Sequence, residues 1–210
     1  MTLAPASSPE YLALRTRLEE LAARFLPVTA SATGTYAPDI YDQVRAYILL
    51  CHAEIEMYLE TLSESVVQSA LSKWELDRFP RTALISILAF SRGGPDLLPG
   101  EVGKAPPVIR TILADCVSDF SKYVRIANHG IKRNETLRML ISVGLREHEI
   151  SATWLNTLDA FGATRGSHAH SSAGVTTVVL PDPVRMRNDV TSILDGLQSI
   201  DERLVQLRAE

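Results

Sequence analysis

The sequence lacks the long hydrophobic runs and the excess of positive charge that mark several large protein classes. No apolar run approaches the roughly 18–20 residues that a membrane-spanning helix needs. The segment from Met1 to Glu10 has neither a basic start nor an apolar stretch, so it does not indicate a secretory signal. The formal net charge is -4, whereas a protein that holds long duplex DNA is usually basic. The negative net charge argues against an architectural DNA-binding protein, but not against an enzyme that binds a short RNA at one site.

Cysteine is scarce, and the common catalytic and cofactor motifs are missing. Cys51 and Cys116 are the two cysteines, and both lie in apolar segments. We therefore predict small buried side chains without a disulfide, in a reducing cytoplasm. There is no phosphate-binding glycine loop with its lysine, no CxxC pair, no HExxH motif and no nucleophile elbow. His168 and His170 resemble half a metal site, but a third ligand at a usual spacing is absent. We expect neither a cofactor nor a metal.

The residues that are present predict helices throughout. Apolar residues make up 46% of the chain and charged residues 22%, which is ordinary for a globular protein with a core. A capping pattern or helical periodicity predicts helices at Pro9 to about Pro27, Asp39–Lys73, Thr82–Phe90, Pro107–Asn128, Asn134–Val143, Glu147–Phe161 and from Pro183 onwards. Val175–Leu180 alone favours an extended segment, and a single run cannot make a sheet.

These elements predict an all-α fold, an up-and-down helical bundle with a long central Gly/Pro loop at residues 92–106. An N-terminal helix and linker would occupy residues 1–36, and the bundle domain residues 37–210. The role of the central loop stays open at this point, since a lid, a dimer element and a disordered loop would share this composition.

The longest predicted helix carries a polar flank beside its core stripe. Apolar residues recur at helical spacing along one arc, at Val44, Ile48, Cys51, Ile55, Leu59, Leu62 and Val66. Arg45, His52, Glu56 and Ser63 fall together about a quarter turn away. His52 and Glu56 are four residues apart and can touch. The bland alternative is a solvated pair at the border of a helix, which contributes little.

The segment Arg165-Gly-Ser-His-Ala-His170 has the residue types that RNA cleavage requires. Attack of a ribose 2′-hydroxyl on the adjacent phosphate needs a group that moves protons near neutral pH, and histidine is such a group. It also needs a fixed cation on the developing phosphorane, and arginine supplies one with two parallel donors. By spacing alone the structural alternative is favoured, because an Arg and a His near a helix end are common.

Four segments in order resemble the HEPN superfamily, in particular its RiboL-PSP-HEPN branch. The similarity extends from about Asp39 to Leu207. The matching segments are Arg45–Glu60, Asn128–Lys132 with Asn134 and Val143–Leu145, Thr164–His170, and Asp189–Asp201. In the third of these, the pattern Arg-x4-His resembles the signature of the superfamily.

The resemblance implies a metal-independent endoribonuclease that acts as a toxin, an abortive-infection factor or another anti-phage or stress-defence effector. It implies a homodimer, in which two Arg-x4-His segments form one composite cleft, and a cognate antitoxin or defence partner. Arg165 would stabilise the scissile phosphate, and His170 would act as acid or base. We expect support from His52, Glu56 and Arg45 on the long helix, and from Ser167 and His168 within the signature.

Two alternatives remain beside the ribonuclease. One is a non-catalytic HEPN module that binds RNA, a nucleotide or a partner protein; the acidic net charge and Gly166, where many members have Asn, favour it. The other is a structural bundle in which Arg165 and His170 form caps and ion pairs. Some members carry a modifiable Tyr two residues after the His, but this chain has Ser172, so regulation of that kind is not expected.

Overall fold

A computed structural model describes residues 7–91, 108–128, 130–169 and 180–210, with only the backbone described at 168 and 169. Its α-helices are α1 (Pro9–Phe25), α2 (Pro38–Asp77), α3 (Thr82–Phe90), α4 (Ile109–Lys122), α5 (Arg133–Ser142), α6 (Ala152–Ala169) and α7 (Pro183–Ala209). A π-helical segment (Tyr123–Ala127) continues α4, and a 3-10 turn (Glu147–Glu149) precedes α6. Within these ranges there is no strand, so the predicted all-helical fold is confirmed. The predicted central loop and the extended segment up to residue 179 lie outside the described residues.

The 40-residue helix α2 forms the spine of the fold. Its predicted apolar stripe is buried along its whole length, with Val44, Ile55 and Val66 at 0% exposure. Helices α1, α3, α4, α5, α6 and α7 all pack against α2, and their apolar faces join it in one hydrophobic core. Burial of apolar area on this scale is the main favourable contribution to folding.

A buried carboxylate ties the two ends of the chain to α2. Ser8 caps α1, since its Oγ accepts from the Tyr11 backbone N–H at 2.9 Å. The backbone N–H of Ser8 donates to Asp201 Oδ2 of α7 at 2.7 Å, and its hydroxyl also donates to Asp201. Tyr58 of α2 donates to Asp201 Oδ1 at 2.8 Å. Asp201 is fully buried, and these charge-assisted bonds offset the desolvation of its carboxyl group.

Several helix boundaries differ from the sequence prediction. The helix predicted to run to Asn128 changes from α to π geometry at Tyr123, and the Asn128 N–H donates to the Tyr123 carbonyl oxygen at 2.8 Å. The helix predicted to end at Phe161 continues to Ala169. Gly162 does not end it, because this glycine is buried against the segment before α5: a Cβ there would lie 3.3 Å from Lys132 Cγ. Close packing outweighs the weak helix propensity of glycine.

Two further ends differ: α2 continues past the predicted Lys73 to Asp77, and α6 begins at Ala152 instead of Glu147, after the 3-10 turn. The predicted helix starts near Pro9, Asp39, Thr82 and Pro183 agree closely with the structure. Pro183 begins α7 as predicted, and the Asp182 side chain accepts from two backbone N–H groups of its first turn. Cys51 and Cys116 are buried free thiols, as the apolar setting of each predicts. No helix in the described part of the chain is both long enough and apolar enough to cross a membrane.

Gly196 allows α6 and α7 to approach each other closely, and replacing it should weaken the fold. A Cβ at Gly196 would lie 2.0 Å from Cδ1 of Trp154, whose buried indole donates to the Ile193 carbonyl oxygen at 3.0 Å. We expect Gly196→Ala to lower the free energy of unfolding by about 1–3 kcal/mol, because the indole must shift within a packed core. Urea denaturation measures this change.

The matched control is Gly166→Ala in α6, where an added Cβ meets no atom within 4 Å. That variant should raise the free energy of unfolding by about 0.5–1 kcal/mol, since alanine is the better helix former. Equal effects of the two substitutions would contradict the close approach at Gly196.

Candidate functional site

The packing of α6 on α2 places Arg165 at the junction of these two helices. Trp154, Leu158 and Phe161 form the buried stripe of α6 at helical spacing. Arg165 occupies the next position of that stripe, four residues beyond Phe161, and is half-buried. The core stripe of α6 therefore ends in a guanidinium group directed toward α2. A cation in the last turns of a helix also suits the negative end of the helix dipole.

His52 faces this guanidinium group from the border of the α2 stripe. Only 4% of the residue is exposed. Its Nδ1 lies 3.5 Å from Glu56 Oε2 one turn further along α2, as the four-residue spacing predicts. Glu56 keeps 23% of its side chain exposed. The structure thus brings together an imidazole, a carboxylate and a guanidinium group from two helices.

Burial and the charge of Arg165 keep the His52 imidazole neutral. Burial is the larger cause, and the positive charge of Arg165 adds to it; together they lower the pKa of His52 from 6.5 to about 4. The contact between His52 and Glu56 has the distance of an ion pair. It is better described as a polar contact at neutral pH, because an imidazole with a pKa of about 4 carries no charge there. A proton on Nδ1 would point to Glu56 and leave Nε2 as an acceptor.

The segment between the π-helical turn and α5 closes the other side of His52. Gly130 has φ +124°, and a Cβ on it would lie 3.7 Å from His52 Nε2. The buried Asn128 side chain donates to Glu60 Oε1 of α2 at 2.9 Å and to the Gly130 carbonyl oxygen at 3.4 Å. Asn128 Oδ1 is buried without a hydrogen-bond partner among the described residues. This segment therefore holds Gly130 against the imidazole.

The sequence did not predict Glu60, Asn128 or Gly130 as site residues. Asn128 and Gly130 belong to a segment that resembles the family, but nothing in their own spacing points to His52, which is 76 positions before Asn128 in the numbering. The available signal was the α2 register: His52, Glu56, Glu60 and Glu64 recur every four residues on one side of α2. Glu64 accepts from Arg125 of the π-helical segment at 2.9 Å.

The other predicted site residues are not all brought together. Arg45 lies two turns before His52 and pairs with Asp42 at 3.1 Å, so its guanidinium group binds a carboxylate of the preceding turn of α2. Ser167 is exposed and its hydroxyl donates to the Ala163 carbonyl oxygen at 3.2 Å. The His168 side chain and the whole of His170 lie outside the described residues. Within the described ranges, no three His, Cys, Asp or Glu side chains are grouped as metal ligands.

The described residues of the site can bind a phosphate group and orient hydrogen-bond donors. The Arg165 guanidinium group has five N–H donors and can bind two oxygens of a phosphate group. His52 titrates too far below neutral pH to be an efficient general base, for which a pKa near 7 is best. Its acceptor nitrogen and the Glu56 carboxylate can instead orient donors such as N–H or O–H groups. The geometry suits recognition of a phosphodiester by Arg165, beside a polar pair that fixes its surroundings.

A comparison with protein families identifies the chain. The family model described as RiboL-PSP-HEPN matches residues 13–206. The chain belongs to this family. The match begins within α1 and ends near the end of α7, so it includes all four segments of the resemblance noted in the sequence. No significant match exists among curated proteins or among solved structures.

The depressed pKa of His52 should make this RiboL-PSP-HEPN protein less stable in mild acid. Because the folded-state pKa is about 4 and the unfolded value is near 6.5, the unfolded chain binds more protons between these values. Stability is therefore lost as the pH falls from about 6.5 to 4, by on the order of 2–3 kcal/mol for this group. Urea denaturation between pH 7.5 and 4 measures the loss.

The variant His52→Asn separates the contribution of this imidazole to the pH dependence from that of the carboxylates, because the carboxylates titrate in the variant and in the wild type alike. The variant should lose less stability than the wild type between pH 6.5 and 4. His148→Asn is the control, since His148 is exposed in the 3-10 turn and its removal should leave the slope unchanged. The same slope in wild type and His52→Asn would contradict a neutral buried imidazole.

Proposed function

We propose that this protein is a metal-independent endoribonuclease in which Arg165 and His170 carry the reaction. The observation that supports it best is the position of Arg165, the first residue of the signature. It lies on α6 near enough to His52 of α2 for its charge to lower the pKa of that imidazole, and it is only partly buried. A guanidinium group at the edge of the core, close to a buried neutral imidazole, can bind the oxygens of a phosphate group.

The proposed reaction follows from the chemistry of RNA. The ribose 2′-oxygen attacks the adjacent phosphorus atom and loses its proton to a base. The bond from phosphorus to the 5′-oxygen of the next nucleotide breaks, and an acid protonates this leaving oxygen. The products are a 2′,3′-cyclic phosphate and a 5′-hydroxyl end. Arg165 would stabilise the charge on the phosphoryl oxygens, and His170 would move protons as base or acid.

A homodimer would supply the second set of groups. The reaction needs both a base and an acid, and two copies of the Arg165–His170 segment that face one cleft provide two imidazoles. We propose that the dimer acts in the cytoplasm as a toxin or an anti-phage or stress-defence effector, restrained by a cognate antitoxin or by another defence-system protein. Neither role requires a membrane or a bound cofactor.

Cleavage of a labelled RNA in the presence of a chelator tests the mechanism. We expect the wild type to cut RNA with EDTA present, and to leave 2′,3′-cyclic phosphate ends. His170→Ala and Arg165→Ala should each lower the rate by about a hundredfold or more, which is typical for loss of a general acid–base group or of a charge-stabilising donor. A strand with 2′-O-methyl groups should not be cut, because its 2′-oxygen cannot attack.

Two matched control variants distinguish loss of the proposed catalytic groups from a general loss of positive charge. Arg24→Ala removes an exposed arginine from α1, and His148→Ala removes an exposed histidine; both should cleave at the wild-type rate. The mechanism is wrong if the chelator stops the reaction, if the methylated strand is cut, or if Arg165→Ala and His170→Ala remain fully active.

Gly166 supports the second candidate, a non-catalytic module that binds RNA, a nucleotide or a partner protein. Many relatives are expected to have Asn at this position, and the space around Gly166 is open to a side chain. A glycine beside Arg165 loosens the helix that directs the guanidinium group. Gly166→Asn should fold normally, because a Cβ there meets no atom within 4 Å.

The effect of Gly166→Asn on cleavage distinguishes the two candidates. We expect the RNA cleavage rate to rise severalfold over wild type, because a firmer helix holds Arg165 in fewer orientations. The module is favoured if wild type binds RNA or a nucleotide over hours without products, and if Gly166→Asn is equally inactive. Growth arrest on expression that disappears in His170→Ala would contradict the module.

A further inference from the structure

A cleft separate from Arg165 opens between α3, α4, the π-helical segment and α5. Its volume is about 560 Å³, which is in the range of sites for small organic ligands. Its apolar lining is largely aromatic, with Ile87 and Phe90 from α3 and Phe120, Tyr123 and Ile126 from α4 and the π-helical segment. Phe90 and Ile126 are 57% and 70% exposed, so a flat ligand can reach them without displacing the core.

The polar lining of this α3–α5 cleft has a net positive charge. Asp119 and Lys122 form an i,i+3 pair at 3.1 Å. Arg138 of α5 adds a second cation, whose guanidinium group lies over the Tyr123 ring with its carbon 4.4 Å from the ring centroid. No ion pair to Arg138 exists among the described residues. Stacking fixes the plane of the guanidinium group and leaves its N–H groups at the edge, where they can bind oxygens.

We propose that the α3–α5 cleft binds a nucleoside phosphate. A purine or pyrimidine base would stack on the aromatic lining, an interaction that every base can make through its flat face. The phosphate would bind Arg138 and Lys122. Asp119 would accept from the ribose hydroxyls, and Ser142 adds a further hydroxyl to the lining. This lining therefore fits a small molecule that combines an aromatic ring, an anionic group and neighbouring hydroxyl groups.

This cleft is independent of the proposed catalytic site. Its lining contains neither Arg165 nor any α2 residue of the His52 site. The π-helical segment separates them, with Ala127 lining the cleft and Asn128 bonded to α2. Binding in the cleft therefore does not rest on the ribonuclease proposal, and it can hold in a protein that cuts no RNA.

Calorimetric titration of the full-length protein with AMP tests the proposal. Arg138→Gln should weaken AMP binding about tenfold or more, because a charge-assisted hydrogen bond is lost, and the exposure of Arg138 leaves the fold intact. Phe90→Ala should weaken it about fivefold or more through loss of stacking. Adenosine, which lacks the phosphate, should bind to wild type about as weakly as AMP binds to Arg138→Gln.

Two control variants locate the binding. Arg133→Gln removes an arginine of the same helix that bonds instead to Asn156 of α6, and Arg165→Ala removes the cation of the catalytic site; both should keep wild-type affinity for AMP. The proposal is overturned if AMP does not bind at millimolar concentration, if Arg138→Gln or Phe90→Ala binds like wild type, or if Arg165→Ala abolishes binding.

A competition experiment identifies the source of the nucleoside phosphate. A ten-nucleotide single-stranded RNA is titrated into the protein with AMP bound. Displacement of AMP, lost in Arg138→Gln, would show that the cleft accepts a nucleotide of an RNA strand. Retention of AMP would show that it accepts a free mononucleotide. Both results support a nucleoside phosphate site, while displacement that is unchanged in Arg138→Gln contradicts it.

Discussion

The whole structure depends on the burial of one apolar stripe along α2. Val44, Ile48, Ile55, Leu59 and Val66 on this stripe are each 0% exposed, and every other α-helix of the described chain packs on α2. A helix covered on several sides leaves few positions at its border that are fully solvated. His52 lies four residues after Ile48 and three before Ile55, both fully buried, so the burial of its imidazole follows from the helix geometry and from the packing of α6 on α2.

That position forces a choice of protonation state. A charged imidazole at 4% exposure would lose its hydration and lie near the guanidinium group of Arg165, and both effects oppose protonation. The neutral form avoids these costs. As a consequence His52 does not neutralise the Glu56 carboxylate, and the positive charge at the α2–α6 junction is that of Arg165. The site therefore combines the permanent cation of Arg165 with a neutral imidazole, which suits binding of an anion followed by proton transfer from another group.

Much of the fold could be predicted from local sequence, because capping and periodicity are local properties. The α2 stripe, the Pro183 start of α7 and the contact of His52 with Glu56 all follow from spacing along one helix. The π-helical turn at Tyr123 and the extension of α6 to Ala169 could not be predicted this way. The low helix propensity of Gly162 predicts that α6 ends there. The helix continues because Gly162 packs against Lys132, and this packing exists only in the assembled bundle.

The same distinction applies to the site. Spacing gives Arg165 and His170 as a pair but says nothing about what surrounds Arg165. The polar flank of α2, predicted from helical spacing, suggested His52 and Glu56 as its neighbours, and the continuation of the α6 stripe from Phe161 to Arg165 explains the proximity of Arg165 to α2 physically. Glu60, Asn128 and Gly130 escaped notice because their roles arise between segments that are far apart in the chain.

The π-helical segment lies between the Arg165–His52 site and the α3–α5 cleft and separates them. Its α2 side is fixed by Arg125 on Glu64 and by the following Asn128 on Glu60. Its other side presents Tyr123 and Ile126 to the cleft. The side of this segment that faces α2 is bonded to the central helix of the fold, so a ligand in the cleft meets a firm surface. Occupancy of the cleft therefore need not move Gly130 or His52.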